Sequence, residues 1–585
     1  MSPSTSRPAA HPPAPRPTTP LEASRALDRS VQAISGQLTS GLSPISLALA
    51  WQDWLMHLST QPGQLMQLAT KAQAQALESA VPTSEAVPTD ARFASPAWQQ
   101  WPWAGMAQAH LQAEQWWNEA TAVRGLTRHH SEVVRAFAHQ WLDMLSPSNL
   151  PFNPDVLEAT REQAGANLLH GLQNAFDDWR TEHGLPPLNE PSKQYRPGVE
   201  VAVTPGAVVY RNRLIELIQY SPSTAQVQAE PIFIVPSWIM KYYILDLSAQ
   251  NSMVRWLVGQ GHTVFILSWH NPNEADADVG LNDYLQWGVF DALAAIKRQV
   301  PGQKVHACGY CLGGTLLSMA AAALARPQQV ASAAEQAELA SVTLLASETD
   351  FTEPGELGIL IDESQVQQLE AMMGERGFLT GKQMAGSFQF LHSRDLIWST
   401  RMREYLLGQR SQPNDLMSWN TDVTRMPARM HSQYLRRCYL DNELADGRYE
   451  VENRAISLSD IRVPMFVVGT EKDHVSPWKS VYKIHRLTET ELTFALANGG
   501  HNAGIVSEPG HPRRYYALHT TAATDPWLPP DEWRGVAQRH DGSWWTAWSE
   551  WLVARNSGTV AARVIDPASV IEPAPGRYIH ECYAD

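Results

Sequence analysis

The segment Gly309-Tyr310-Cys311-Leu312-Gly313-Gly314 restricts what this chain can fold into more than any other feature. It joins a β-rich run at residues 304–308 to a helix-like run holding Leu316, Leu317 and Met319. A strand that passes into a helix within so few residues holds the turn residue in a strained backbone conformation. The residues two before and two after it must then be small. Gly309 and Gly313 meet that condition around Cys311. The spacing is that of a nucleophile elbow, G-x-S-x-G, with cysteine in place of serine. At the start of a helix, oriented peptide dipoles favour a thiolate. Two other readings compete. Cys311 could be a structural cysteine beside a glycine turn. Alternatively, Cys308-Gly309-Tyr310-Cys311 is a C-x-x-C and could be a redox pair. A redox pair would expose its first cysteine at the helix start, whereas Cys308 falls inside the strand and reads as a small buried hydrophobe. No second C-x-x-C is present to complete a zinc site, so no metal is expected.

The surroundings of the elbow give the fold class. From about residue 200, short β-rich runs alternate with helical ones, the pattern of a mainly parallel sheet covered on both faces. Strands are expected at 199–203, 208–210, 214–220, 231–235, 263–268, 304–308, 341–346, 464–469 and 492–497. With the elbow, this predicts an α/β-hydrolase fold over 196–585. A stretch from about 350 to 450, rich in Met, Leu, Phe and Trp, interrupts the alternation and is expected to form a helical cap over the site. Before it, residues 23–195 predict a mainly helical N-terminal domain. One helix is expected over 155–179, where Leu157, Ala164, Leu168, Leu172 and Phe176 recur at helical spacing. Trp101, Trp103, Trp116 and Trp117 are expected to pack. Residues 1–22, mostly Pro, Ser, Thr and Ala, predict a disordered tail.

Bulk properties exclude several functions. A net charge of −15 leaves no basic excess to neutralise phosphates, so nucleic acid is not an expected partner. Four cysteines in 585 residues fit a reducing compartment rather than a disulfide framework. No secretory signal is visible in the opening M-S-P-S-T-S-R-P, and no apolar run is long enough for a transmembrane segment. The expectation is a soluble cytoplasmic protein.

A cysteine nucleophile needs a base, and the base needs an orienting acid. On this fold they follow the nucleophile as acid, then histidine, each in a loop after a later strand. Asp473 lies in the loop after 464–469, and His501 in the Asn498-Gly499-Gly500-His501 loop after 492–497. Glu471 is an alternative acid; His474 and His511 are alternative bases. The oxyanion needs two N–H donors. The backbone amide of Leu312 is one. The second is expected from the Pro236-Ser237-Trp238-Ile239 loop, at Ile239.

These residues sit in longer motifs. G-Y-C-L-G-G around Cys311, K-Y-Y-I-L-D-L at 241–247 and G-H-T-V-F-I-L-S-W at 261–269 resemble polyhydroxyalkanoate synthases. So do D-H-V-S-P-W at 473–478, G-G-H-N-A-G at 499–504 and G-S-W-W at 542–545. The resemblance runs from Q-W-L-D-M-L-S-P-S-N at Gln140 to P-G-R-Y at 575–578. It implies Cys311, Asp473 and His501 as the catalytic residues, a homodimer, attachment to polyester granules, and class I or II organisation without a second subunit type. It also implies a 3-hydroxyacyl-CoA substrate, a growing polyester chain and no cofactor. Ser237 and Met240 depart from the family, which usually has Pro and Asn there.

Such chemistry suits cysteine. Moving an acyl group from CoA sulfur to cysteine sulfur exchanges one thioester for another, whereas an oxyester on serine would lose activation. A Cys-dependent thioesterase would use the same triad with water as acceptor, and a non-catalytic granule-associated protein could keep the fold alone. The elbow assignment makes a direct prediction. Brief iodoacetamide treatment of the native protein near neutral pH, read by peptide mapping, labels Cys311 before the other cysteines. Faster labelling of Cys308, Cys438 or Cys582 contradicts it.

Overall fold

The computed structural model describes residues 19–39, 41–80, 90–189, 194–326, 338–391 and 393–583. At its centre is an eleven-stranded sheet. Six adjacent strands run parallel, in the order Leu492–Ala497, Met465–Thr470, Leu339–Leu345, Val305–Tyr310, Ile232–Val235 and Val264–Trp269. All but the Leu339–Leu345 strand, whose first two residues are half-buried, are buried along their whole length. That explains their continuous apolar runs, as expected of strands covered on both faces.

Antiparallel strands close both edges, and here the sequence expectation needs correction. Tyr515–Thr521 and Gln538–Asp541 extend one edge, and Ile215–Tyr220, Gly206–Arg211 and Glu572–Pro573 extend the other. The sheet is therefore mixed. Gln-Arg-His-Asp has no apolar residue to mark it as a strand, because its ladder lies at the rim and its side chains stay largely in solvent. Residues 199–203 make only an isolated bridge, Pro197 to Val201.

The N-terminal region is helical, with α-helices Pro20–Leu38, Pro44–Ser59, Pro62–Ala80, Trp103–Thr121, Arg128–Met144, Pro154–Glu162 and Ala166–Glu182. The first helix begins inside the expected tail of 1–22; residues 1–18 lie outside those described. The single helix expected over 155–179 is two. Ala164 and Gly165 adopt φ of 48° and 85°, and this left-handed pair ends one helix and starts the next. Leu157, Leu168, Leu172 and Phe176 are exposed rather than core. Trp116 and Trp117 pack with Trp54 beside Leu58 and Leu68, and Trp103 packs on the Phe93–Trp98 cluster. Trp101 does not pack, being 80% exposed.

Between Leu339–Leu345 and Met465–Thr470 the chain leaves the sheet and builds the expected cap, chiefly helices Glu363–Arg376, Gly381–Leu391 and Ala428–Tyr434. The N-terminal helices lean on it. Ser43 N–H donates to Gln365 Oε1 at 2.7 Å, and Gln365 and Gln368 side chains donate to the Gly41 and Leu42 carbonyls.

The P-G-R-Y segment near the C-terminus is tied to the sheet through one buried carboxylate. Glu216 accepts from Arg211 Nε at 2.7 Å and from the Arg577 and Tyr578 amides, both at 3.1 Å, with no solvent exposure. Removing one partner of a buried charged cluster strands the others. Glu216→Ala is expected to cost about 3 kcal/mol or more and to lower Tm in a thermal melt. Glu200→Ala, which removes an exposed partner of Arg196, leaves Tm unchanged. Equal melts for Glu216→Ala and the parent would contradict this account of the edge.

Candidate active site

Cys311 lies where strand Val305–Tyr310 meets helix Leu312–Leu324, with φ 52° and ψ −125°. This is a left-handed conformation that a side-chain-bearing residue adopts only where its surroundings enforce it. The glycines show how. A Cβ on Gly309 would lie under 3.0 Å from Gly314 Cα, and one on Gly313 under 3.0 Å from the Val235 and Pro236 carbonyls. Helix and strands approach too closely for any side chain at either position. Cys311 N–H donates to Leu345 O at 2.9 Å, which anchors the turn to the neighbouring strand.

The two expected partners are brought together. His501 Nδ1 lies 2.8 Å from Asp473 Oδ2, and the imidazole is close enough to Cys311 for their charges to interact. Asp473 Oδ2 accepts a second bond from Thr470 Oγ1 at 2.9 Å, and its Oδ1 accepts the Val475 and Ser476 amides at 2.9 and 2.8 Å. Burial pushes the Asp473 carboxyl up, but the His501 charge and these hydrogen bonds outweigh it and hold the group below its ordinary value. Burial pulls His501 down; Asp473, then Cys311, outweigh that and raise it well above the ordinary imidazole value. A carboxylate can only accept, so Nδ1–H donates to Asp473 and Nε2 is left for Cys311.

The alternatives are engaged elsewhere. Glu471 accepts from Tyr515 Oη and Arg534, both at 2.7 Å. His474 is largely exposed and lies 3.5 Å from Glu356. His511 Nδ1 lies 2.7 Å from the Pro512 carbonyl in an exposed turn. Burial raises the thiols of Cys308 and Cys438, the latter to about 12, and Cys582 is raised by partial burial and by Asp422.

Leu312 and Ile239 line one cavity with Cys311. The Leu312 amide is the first of its helix and has no acceptor within it. The Trp238 carbonyl accepts from Thr424 Oγ1 at 2.7 Å. A trans peptide then directs the Ile239 N–H away from Thr424. Trp269 Nε1 donates to the Pro236 carbonyl at 2.9 Å and fixes the same loop. Ser237 is buried with no partner for its hydroxyl among the described residues, and Met240 forms a bridge with Val423.

Several positioning residues escaped sequence reasoning, although the motifs contain them. Tyr310 Oη donates to Asn502 Oδ1 at 2.7 Å and ties the elbow to the histidine loop. Trp544 and Trp545 donate to the Gly504 and Ile505 carbonyls at 3.0 and 2.9 Å, which gives the G-S-W-W motif a role in holding that loop. The cavity above Cys311 is walled by cap residues, among them Phe351, Leu360, Leu369 and Met384, and also by Gly41 and Leu42 from the N-terminal region.

The comparisons with known proteins agree with this architecture. Residues 22–64 match the family model "Poly-beta-hydroxybutyrate polymerase N terminal", and residues 89–257 match "Poly-beta-hydroxybutyrate polymerase (PhaC) N-terminus". Residues 230–508 match "alpha/beta hydrolase fold". The Poly(3-hydroxyalkanoate) polymerase of Methylorubrum extorquens is 37% identical over 85% of this chain and 82% of its own length. The Cupriavidus necator Poly(3-hydroxyalkanoate) polymerase subunit PhaC is 37% identical over 76% of this chain and 75% of its own. Poly(3-hydroxyalkanoate) polymerase 2 of Ectopseudomonas oleovorans is 33% identical over 84% and 86%. On these relationships and its fold, the chain belongs to the poly(3-hydroxyalkanoate) polymerase family.

Proposed function

We propose that this chain polymerises 3-hydroxyacyl-CoA thioesters, with CoA release, through a covalent thioester on Cys311. The observation that carries the reading is the His501 imidazole, with Nδ1 2.8 Å from the Asp473 carboxylate and Cys311 close enough for their charges to interact. His501 Nε2 takes the thiol proton, and the thiolate attacks the thioester carbonyl carbon. The Leu312 and Ile239 amides hold the oxyanion that forms. Collapse breaks the carbon–sulfur bond to CoA, and the departing sulfur takes the proton from His501. Asp473 holds the imidazole in the required tautomer and balances its charge.

In the second half-reaction the acceptor is the 3-hydroxyl of another acyl unit. Its proton passes to His501, the ester bond forms, and Cys311 is released as thiolate. The apolar cap residues Phe351, Leu360, Leu369 and Met384 support this acceptor over water, because apolar walls that exclude water disfavour hydrolysis of the thioester. The same reading brings a homodimer acting at polyester granules in the cytoplasm. Leu168, Leu169, Leu172, Phe176 and Trp179, exposed on helix Ala166–Glu182, suit an apolar surface.

One time course tests the reaction. With 3-hydroxybutyryl-CoA, free CoA is expected to rise together with chloroform-extractable polyester, with little soluble hydroxy acid. Soluble acid equal to CoA throughout, with no polymer, would overturn the polymerase in favour of a thioesterase.

A further inference from the structure

Within the cavity that holds Cys311, the wall carries a group that the proposed chemistry does not use. Glu348 follows strand Leu339–Leu345, is 4% exposed, and lines the cavity together with Cys311 and Leu312. Its backbone is fixed, since the Glu348 carbonyl accepts from Thr315 Oγ1 at 2.7 Å, one turn into the Cys311 helix. Oε1 is buried with no hydrogen-bond partner among the described residues. Burying a carboxyl oxygen without a partner costs on the order of 1–3 kcal/mol. An apolar residue, like Phe351, Leu360 and Leu369 of the same wall, would carry no such cost.

The carboxyl does not stand alone. His431, from the cap helix Ala428–Tyr434, lines the same cavity and has a buried Nδ1 without a partner among the described residues. Tyr439 is close enough to Glu348 for their charges to interact. The ionisable groups that act on Glu348 are Asp473 and Cys311, which disfavour its charge, and Lys483 and His501, which favour it. Burial acts first, and with Asp473 and Cys311 adding to it the carboxyl is held well above the usual carboxylate range. A carboxylic acid kept neutral can both donate and accept a hydrogen bond.

We propose that Glu348, lining the Cys311 cavity with an unpartnered buried oxygen, is a specificity-determining residue that hydrogen-bonds the 3-hydroxyl of the acyl group entering or held on Cys311. This rests on the acyl-transfer reading above. The hydroxyl lies two carbons beyond the carbonyl that Cys311 attacks, so an acyl chain seated in this cavity carries it past the cavity wall. A site built to bond a hydroxyl leaves its own buried group unpaired when the hydroxyl is missing, and so rejects the deoxy analogue strongly. The apolar part of the wall could not make that distinction. His431, from the cap, offers a second polar contact.

The test compares two CoA thioesters that differ only in the hydroxyl. First-turnover CoA release is measured with 3-hydroxybutyryl-CoA and with butyryl-CoA, for the parent, Glu348→Gln and Glu348→Leu. The parent is expected to favour the hydroxylated substrate. Glu348→Leu is expected to reduce that preference by about tenfold or more, through slower release from 3-hydroxybutyryl-CoA and unchanged or faster release from butyryl-CoA. Glu348→Gln, which keeps a donor and an acceptor at the same place, retains most of the preference. Thermal melts of both variants, read alongside, identify any loss of fold, and Glu348→Met, apolar and close to Glu in size, takes the place of the Leu variant if that does not fold. A preference unchanged in a folded Leu variant, or lost equally in the Gln variant, overturns the role of Glu348 while leaving the acyl-transfer reading in place. A parent that releases CoA from neither substrate overturns both.

Discussion

The close approach of the Cys311 helix to the strands beneath it is the constraint on which the rest depends. Gly309 and Gly313 leave no room for a side chain, and the chain must therefore turn at Cys311 with a positive φ. That turn lifts the sulfur above the carboxyl ends of the parallel strands. Every other feature of the site is arranged around this point. The loops after Met465–Thr470 and Leu492–Ala497 bring Asp473 and His501 to it, and the loop after Ile232–Val235 brings Ile239. Side chains distant in sequence then fix the loops. Tyr310 bonds Asn502, Trp544 and Trp545 hold the carbonyls beyond His501, and Trp269 holds Pro236.

The electrostatic design follows from burial. The Asp473 side chain has no exposure, yet hydrogen bonds from Thr470, Val475, Ser476 and His501 leave little of the carboxylate unsatisfied. A buried carboxylate so supplied keeps its charge and orients the imidazole. Glu348 lies on the same cavity with no such donors at Oε1 and is driven the opposite way. Of two carboxyl groups close to one cysteine, one is thus held below its ordinary value by its donors and the other above it, chiefly by burial.

Much of this was legible in the sequence, for physical reasons. Strands buried on both faces must be continuously apolar, so Ile232–Val235, Val264–Trp269 and Leu492–Ala497 announced themselves, and the elbow glycines followed from sterics alone. What stayed hidden depends on tertiary context. Gln538–Asp541 is an edge strand made only of polar residues. The break at Ala164 and Gly165 interrupts an otherwise unbroken helical period. Trp101 has the composition of a core residue and faces solvent. Glu348, in Ser-Glu-Thr-Asp, resembles any polar turn residue until the cap closes over it. Gly41 and Leu42 reach the cavity only because the N-terminal helices pack on the cap.

The central claim is that Cys311 carries the acyl group. Rapid acid quenching of the protein after mixing with a 3-hydroxyacyl-CoA, followed by peptide mass spectrometry, reads it directly. The account predicts an acyl mass addition on the peptide containing Cys311, removable by hydroxylamine as a thioester is, and absent when His501 is replaced by alanine. An acyl group on any other residue, or CoA release at full rate without an adduct on Cys311, would contradict it.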